Sequence, residues 1–155
     1  MGKFWLGFLV GLIAGVILTI VAVFAILSRD EPSLSPEVQM PGQVRIGEEF
    51  ELRVVSQNPH ETEVQLHSID IDDVFLAGFD ITSIDPLPTD SMSLMFMDQY
   101  SYFFERDVPP GDSLVVTFTL LALEAGTHIG RLEVCNFAQV CFPVGLEVET
   151  LNGSP

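Results

Sequence analysis

Basic residues are scarce in this chain of 155 residues, which has 6 lysines and arginines against 22 aspartates and glutamates. The formal net charge is therefore -16. Nucleic acids and anionic lipid headgroups are bound by clustered lysine and arginine side chains, and the few basic residues here are scattered along the chain. This composition predicts no nucleic-acid partner and a strongly acidic, well-solvated surface.

The chain also lacks the short motifs that carry catalytic chemistry. It contains no glycine-rich phosphate loop, no H-E-x-x-H and no G-x-S-x-G. Two clusters offer metal-ligand atoms. The first is Asp70, Asp72 and Asp73, which lacks the glycine and final glutamate of a calcium loop. The second is Met92, Met95 and Met97, which has no nearby histidine. We therefore expect a non-enzymatic protein with no cofactor and no metal site.

One long apolar run stands out at the N-terminus. Residues 4–27 contain no charged side chain, and 24 helical residues extend over about 36 Å, enough to span a bilayer core of about 30 Å. The run is longer than the apolar region of a cleaved signal peptide, so it predicts an uncleaved single-pass anchor in the lipid bilayer. Lys3 and the amino terminus precede it, which places the N-terminus in the cytoplasm and the remaining chain outside it.

Three glycines in the apolar run share one helical face. Gly7, Gly11 and Gly15 form two overlapping G-x-x-x-G motifs, which allow a second helix to approach closely. This face predicts homo-oligomerisation through the membrane helix or packing against a partner helix. Glycine is also common in membrane helices that make no such contact.

The remaining chain changes character twice. Residues 1–29 hold the short cytoplasmic tail and the anchor, and residues 30–42 are rich in serine, proline and charge, which predicts an extended linker. From residue 43 to 150, short alternating runs separated by turn signals predict seven or eight strands and no helix. Residues 151–155 are expected to form a flexible tail.

Alternation within these runs indicates which side chains face a core. Phe50, Leu52 and Val54 alternate with charged residues, and Val116, Phe118, Leu120 and Ala122 share one face of a later run. The fold class predicted is mainly β, an Ig-like antiparallel β-sandwich preceded by one transmembrane helix. The run VPPGDSLVVTFTLLALEAGTHIGRLEVC resembles the later strands of Ig-like modules of bacterial and archaeal surface proteins, a resemblance that implies the fold and not an activity.

The only two cysteines lie six residues apart near the C-terminus. If the last two strands form an antiparallel hairpin centred on Ala138, Cys135 faces Cys141 and Leu132 faces Val144. Because side chains alternate between faces, both cysteines then lie on the outer face of the sandwich. Directly opposed Cβ atoms lie about 4.5–5.5 Å apart, whereas a disulfide prefers about 3.5–4.5 Å, so the register allows a strained disulfide. Such a bond fits an oxidising, extracytoplasmic compartment.

The segment CNFAQVCFP resembles the hairpin of the N-terminal, Ig-like domain of bacterial transmembrane thiol:disulfide reductases. There, two redox cysteines sit six residues apart before an aromatic residue and a proline, as Phe142 and Pro143 do here. The resemblance implies that Cys135 and Cys141 exchange a disulfide with partner proteins. The chain lacks the multi-helix electron-carrying domain of that family, and a structural clamp on the hairpin is the alternative role.

Residues 92–104 (MSLMFMDQYSYFF) pack methionines and aromatics densely, as an exposed apolar patch or as a hydrophobic edge strand covered by its own loop. Three functions remain open from the sequence. The first is a membrane-anchored, extracytoplasmic Ig-like module that binds a protein partner or supports an assembly. The second is thiol-disulfide exchange, and the third is a sensor or regulatory ectodomain coupled through the glycine face.

Overall fold

The computed structural model describes Thr19 and residues 33–153. Apart from Thr19, the predicted membrane segment, with Gly7, Gly11 and Gly15, lies outside the described residues. In the part of the chain that the structure describes, no helix combines the length and the apolarity needed to cross a membrane.

The described domain is mainly β, with ten strands and one short helix. The strands are β1 (Ser35–Gln39), β2 (Gln43–Arg45), β3 (Glu49–Gln57), β4 (Val64–Asp72), β5 (Phe79–Asp85), β6 (Asp90–Leu94), β7 (Gln99–Val108), β8 (Ser113–Ala122), β9 (Gly126–Asn136) and β10 (Cys141–Leu151), and the helix is α1 (Asp73–Leu76). One sheet has the order β1-β3-β8-β5, and the other has the order β2-β10-β9-β4-β7-β6. The sequence analysis predicted fewer strands, because β1, β2 and β6 are too short to show a clear alternation.

The core forms where the inner faces of the two sheets meet. Phe50, Leu52 and Val54 on β3 are buried, and so are the four apolar residues of β8 that were predicted to face inward. The alternation prediction is therefore confirmed for both strands. They pack with Ile69, Ile71 and others of the six-stranded sheet in one continuous cluster.

The N-terminal part of the domain supplies a strand to each sheet. β1 pairs with β3, and β2 then pairs in parallel with β10 of the opposite sheet. The sandwich thus begins at Ser35, inside the stretch predicted as an extended linker, and its last strand reaches Leu151. Pro36 is tolerated because β1 is an edge strand, where a missing N–H breaks no ladder.

Two further details differ from the sequence expectation. The β2–β10 pair is parallel, so the sandwich is not wholly antiparallel. No helix was predicted between residues 43 and 150, whereas α1 covers Asp73–Leu76 and β5 begins at Phe79. The helical turn buries Phe75 completely, and this tertiary contact outweighs the local strand propensity.

The terminal hairpin has the predicted register. Cys141 pairs with Cys135, Phe142 with Val134 and Val144 with Leu132. Leu132 and Val134 are buried in the core, so the cysteines on the alternate positions project from the outer face of the six-stranded sheet.

Candidate functional site

The outer face of the six-stranded sheet carries an ordered array of side chains. Strand pairing places Cys141, Cys135, Ser68 and Phe103 in one row across β10, β9, β4 and β7. The next row contains Pro143, Glu133, Asp70, Ser101 and Met92, and the third contains Gly145, Arg131, Asp72, Gln99 and Leu94. Most rows of an exposed sheet face are solvated, but several polar members of this one are buried: Ser68, Asp70, Gln99 and Ser101.

The cysteine pair lies at one end of this array. Cys135 and Cys141 are joined by a disulfide with an S–S distance of 2.04 Å, and their Cα atoms are 4.1 Å apart. That short Cα distance is typical of a non-hydrogen-bonded pair on opposed antiparallel strands. The two sulfurs differ in environment, since Cys135 is 4% exposed whereas Cys141 is exposed.

A buried carboxylate lies beside the buried cysteine. The Asp70 side chain is 8% exposed and accepts a hydrogen bond from the Ser101 hydroxyl. Its second oxygen, Oδ2, lies 3.5 Å from Cys135 Sγ. A disulfide sulfur has no proton to donate, so a hydrogen bond between these atoms forms only after reduction to the thiol.

A charged cluster continues from Asp70 along the same face. Arg131 Nε lies 3.2 Å from Glu133 Oε1, and Arg131 Nη2 lies 4.0 Å from Asp72 Oδ1. Gln99 donates a hydrogen bond of 3.2 Å to the same Asp72 oxygen. Glu133 is therefore oriented by Arg131 next to the disulfide, in a strand position between Cys135 and Arg131.

Apolar and aromatic side chains border the array. The last residue of β6 contributes Leu94, the β6–β7 turn contributes Phe96 and Met97, and His67 lies at the bulge of β4. The His67 ring packs edge-on against Phe103 and Phe137, with centroid distances of 5.3 and 5.7 Å. Together these walls form a cavity of about 450 Å³, which we call the disulfide groove; its floor includes Asp70, Glu133, Cys135 and Cys141.

The tips of the two turns beside the disulfide groove expose large apolar side chains. Met95 is 79%, Phe96 fully and Met97 68% exposed on the β6–β7 turn. Phe137 is 70% exposed on the β9–β10 turn, and its ring packs against that of His67, which lines the groove. Part of the residue 92–104 cluster is therefore an exposed patch, whereas Tyr102 and Phe104 face the core.

The structure brings together some of the residues weighed from sequence and separates others. Asp70 joins the cysteine pair, while Asp72 pairs with Arg131 and Asp73 begins α1. Met97 lines the groove wall, but Met92 lies on edge strand β6. The proximity of Asp70 to the cysteines was missed, because it depends on the pairing of β4 with β9. Burial raises the pKa of Tyr102 above its usual range, so this phenol stays neutral in the core.

No protein-family model and no curated protein matches the chain. Solved structures of similar fold exist at low sequence identity. A cohesin module from a Clostridium perfringens family 33 glycoside hydrolase is 11% identical with a TM-score of 0.52, covering 79% of this chain and 100% of that one. The CARDB domain of a Pyrococcus furiosus protein, solved with di-metal ions, is 13% identical with a TM-score of 0.53, covering 79% and 96%.

A third similar structure is AvmM, described as catalysing macrocyclization in alchivemycin A biosynthesis. It is 11% identical with a TM-score of 0.50, and the match covers 81% of this chain and 92% of that one. A module of a glycoside hydrolase, a CARDB domain and an enzyme thus share this architecture, so the likeness establishes the Ig-like β-sandwich fold and not a function.

Proposed function

We propose that this domain is a non-catalytic interaction module that binds an apolar segment of a partner protein over the disulfide groove. The observation that carries the proposal is the exposure of Met95, Phe96, Met97 and Phe137 on the two turns that flank the groove. Grouped exposed apolar side chains mark interaction sites, and methionine adapts its shape to a partner surface. We call these four exposed side chains the apolar rim. The buried polar residues on the floor of the groove can orient the bound segment beneath it.

The membrane anchor predicted from residues 4–27 belongs to the same proposal. It would hold the module beside the extracytoplasmic face of a cell membrane, where a disulfide is stable. The cohesin-like and CARDB-like folds of the structural neighbours support a module of this kind.

The proposal is tested by photo-crosslinking in the native membrane. A benzophenone side chain at position 96 is expected to give a discrete protein adduct, because this position lies at the centre of the exposed apolar rim. The same group at position 87 is the matched control, since Leu87 is 76% exposed but does not line the groove. Absence of an adduct at position 96, or an identical adduct at 87, contradicts the proposal.

Binding of the crosslinked partner is then measured with the purified full chain. The double substitution Met95→Ser and Phe96→Ser is expected to weaken the affinity by tenfold or more, as for the anchor residues of other interfaces. Leu87→Ser should leave it unchanged. Both variants should unfold at the urea concentration of the parent chain, since the replaced side chains are exposed.

Thiol-disulfide exchange is the second candidate, and the unequal exposure of the two sulfurs favours it. A partner thiolate would attack exposed Cys141 Sγ, and Cys135 would leave as a thiolate that takes a proton beside Asp70. The partner's second thiolate would then attack the mixed disulfide, releasing Cys141. The partner dithiol is oxidised to a disulfide, and this domain gains the two electrons.

This second function is tested by trapping and by titration. Cys135→Ser keeps the exposed thiol and is expected to accumulate a mixed disulfide with a partner, whereas Cys141→Ser accumulates far less. Equilibration of the full chain in glutathione buffers should give a potential near about -200 mV for an exchange protein. A pair that stays oxidised below about -300 mV is a structural clamp, and exchange is then excluded.

A further inference from the structure

Four potential metal-ligand side chains converge on the floor of the disulfide groove. One ligand atom from each of Asp70, Glu133, Cys135 and Cys141 lies within 4.8 Å of all the others. These residues come from three strands, β4, β9 and β10, held in register by continuous pairing. The set is therefore a fixed constellation on a sheet and not a chance meeting of loop side chains.

In the oxidised chain the two sulfurs are bonded to each other and cannot act as thiolate ligands. Reduction changes this. A phosphine and water convert the disulfide to two thiols and a phosphine oxide, and a dithiol does the same by becoming a disulfide. Each thiol then loses its proton when a metal ion binds its sulfur.

The separation of the ligand atoms suits a tetrahedral ion. Zinc–sulfur bonds of about 2.3 Å at the tetrahedral angle place two thiolates about 3.8 Å apart. The sulfurs need to separate by roughly 2 Å from their bonded positions, which side-chain rotation of the exposed Cys141 can supply. Asp70 Oδ2, at 3.5 Å from Cys135 Sγ, already lies at a ligand-to-ligand distance.

The groups around the cluster are those that support a metal site. Ser101 holds one oxygen of Asp70, and Arg131 holds one oxygen of Glu133, so each carboxylate is oriented and retains a second oxygen. Two thiolates and two carboxylates match the borderline-soft preference of zinc better than that of magnesium or calcium, which prefer oxygen alone.

We infer that the reduced form of Cys135 and Cys141, with Asp70 and Glu133, is a binding site for a zinc-class divalent cation. Oxidation and metal binding exclude each other, because the same two sulfurs are used in both states. Metal occupancy then reports the redox state of the pair beneath the apolar rim. This inference goes beyond the proposed interaction module and does not depend on the identity of its partner.

Cobalt(II) is the probe for this site, since thiolate coordination gives it an intense charge-transfer absorption in the near ultraviolet. The full chain in detergent is reduced with a phosphine and titrated with Co²⁺, without thiol reagents that would compete for the metal. We expect one equivalent to bind with thiolate charge-transfer bands, Zn²⁺ to displace it, and the unreduced chain to show none of these bands. Co²⁺ uptake without such bands, or equal uptake by the oxidised chain, overturns the inference.

Substitutions distinguish the proposed metal ligands from acidic residues that do not bind the metal. Asp70→Asn and Glu133→Gln preserve shape and are each expected to weaken Co²⁺ binding by at least tenfold. Asp80→Asn is the matched control, because Asp80 is an exposed aspartate on β5 of the other sheet. Circular dichroism of each variant confirms that its sheets are intact. Unchanged affinity in folded Asp70→Asn overturns the assignment.

Discussion

Replacing Asn58 with aspartate is expected to lower the free energy of unfolding by about 3–5 kcal/mol at pH 7, because it buries a carboxylate against two carbonyl oxygens. The Asn58 side chain has no exposed surface. Its Nδ2 donates hydrogen bonds of 2.8 Å to the carbonyl oxygens of Thr62 and Val108. An aspartate would direct an oxygen at these two acceptors.

The effect of this substitution should depend on pH in a defined direction. Burial and the two carbonyl oxygens raise the folded-state pKa of the introduced carboxyl above its unfolded value of about 3.9. The folded variant therefore binds more protons than the unfolded chain between these two pKa values. The loss of stability is largest above the folded-state pKa and shrinks as the pH falls toward 4.

Urea denaturation of the parent chain and the variant at pH 7 and pH 4.5 measures both effects. Gln57→Glu is the matched control, since Gln57 is the exposed neighbour and gains the same charge. It should change the free energy of unfolding by less than about 0.5 kcal/mol. Equal losses for the two variants would show that overall acidity, and not the Asn58 hydrogen bonds, determines the result.

The hydrogen-bond partners of Asn58 could not be predicted from the sequence. From the sequence, Asn58 with the following proline predicts only the end of a strand. In the structure its backbone N–H donates to Asp112 and its carbonyl accepts from Gly111, so it ties β3 to the β7–β8 turn. These partners lie 50 or more residues away, and no local pattern identifies them.

The register of the β9–β10 hairpin, in contrast, was predicted from the sequence. It was predictable because one slip of a residue would move Leu132 and Val134 out of the core. The disulfide pairing of Cys135 with Cys141 then follows from local geometry. The different burial of the two cysteines does not, because Cys135 lies on β9 between β10 and β4, beside Asp70 of a strand 65 residues earlier.

The same limit applies to the candidate site as a whole. The sequence marks residues 92–104 as unusually apolar and Asp70 as part of an acidic run. It cannot show that both border one groove, since that requires β4 to lie between β7 and β9 in the six-stranded sheet. Strand order is set by the packing of distant segments, and alternation reveals only which face each side chain occupies.

Phe75→Ala is expected to lower the free energy of unfolding by about 3–5 kcal/mol, since it removes a fully buried aromatic ring. The ring lies 5.1 Å from that of Phe79, measured between centroids. The side chain also lies against Gly130 of β9, where an added Cβ would be 3.4 Å from Phe75 Cγ. Gly130 has no side chain to move into the cavity, so the site cannot collapse around the loss.

Phe96→Ala is the matched control, because it removes the same ring from a position that is fully exposed. Its free energy of unfolding should stay within about 0.5 kcal/mol of the parent value, whereas Phe75→Ala should lower the melting temperature by roughly 10–20 °C. The binding assay should reverse the order, with partner affinity lost in Phe96→Ala and retained in folded Phe75→Ala. Such a reversal would assign Phe75 to the core that positions β4 and β9, and Phe96 to the surface that meets the partner. If both substitutions destabilise the chain equally, the β6–β7 turn is part of the core and the interaction surface must be sought elsewhere.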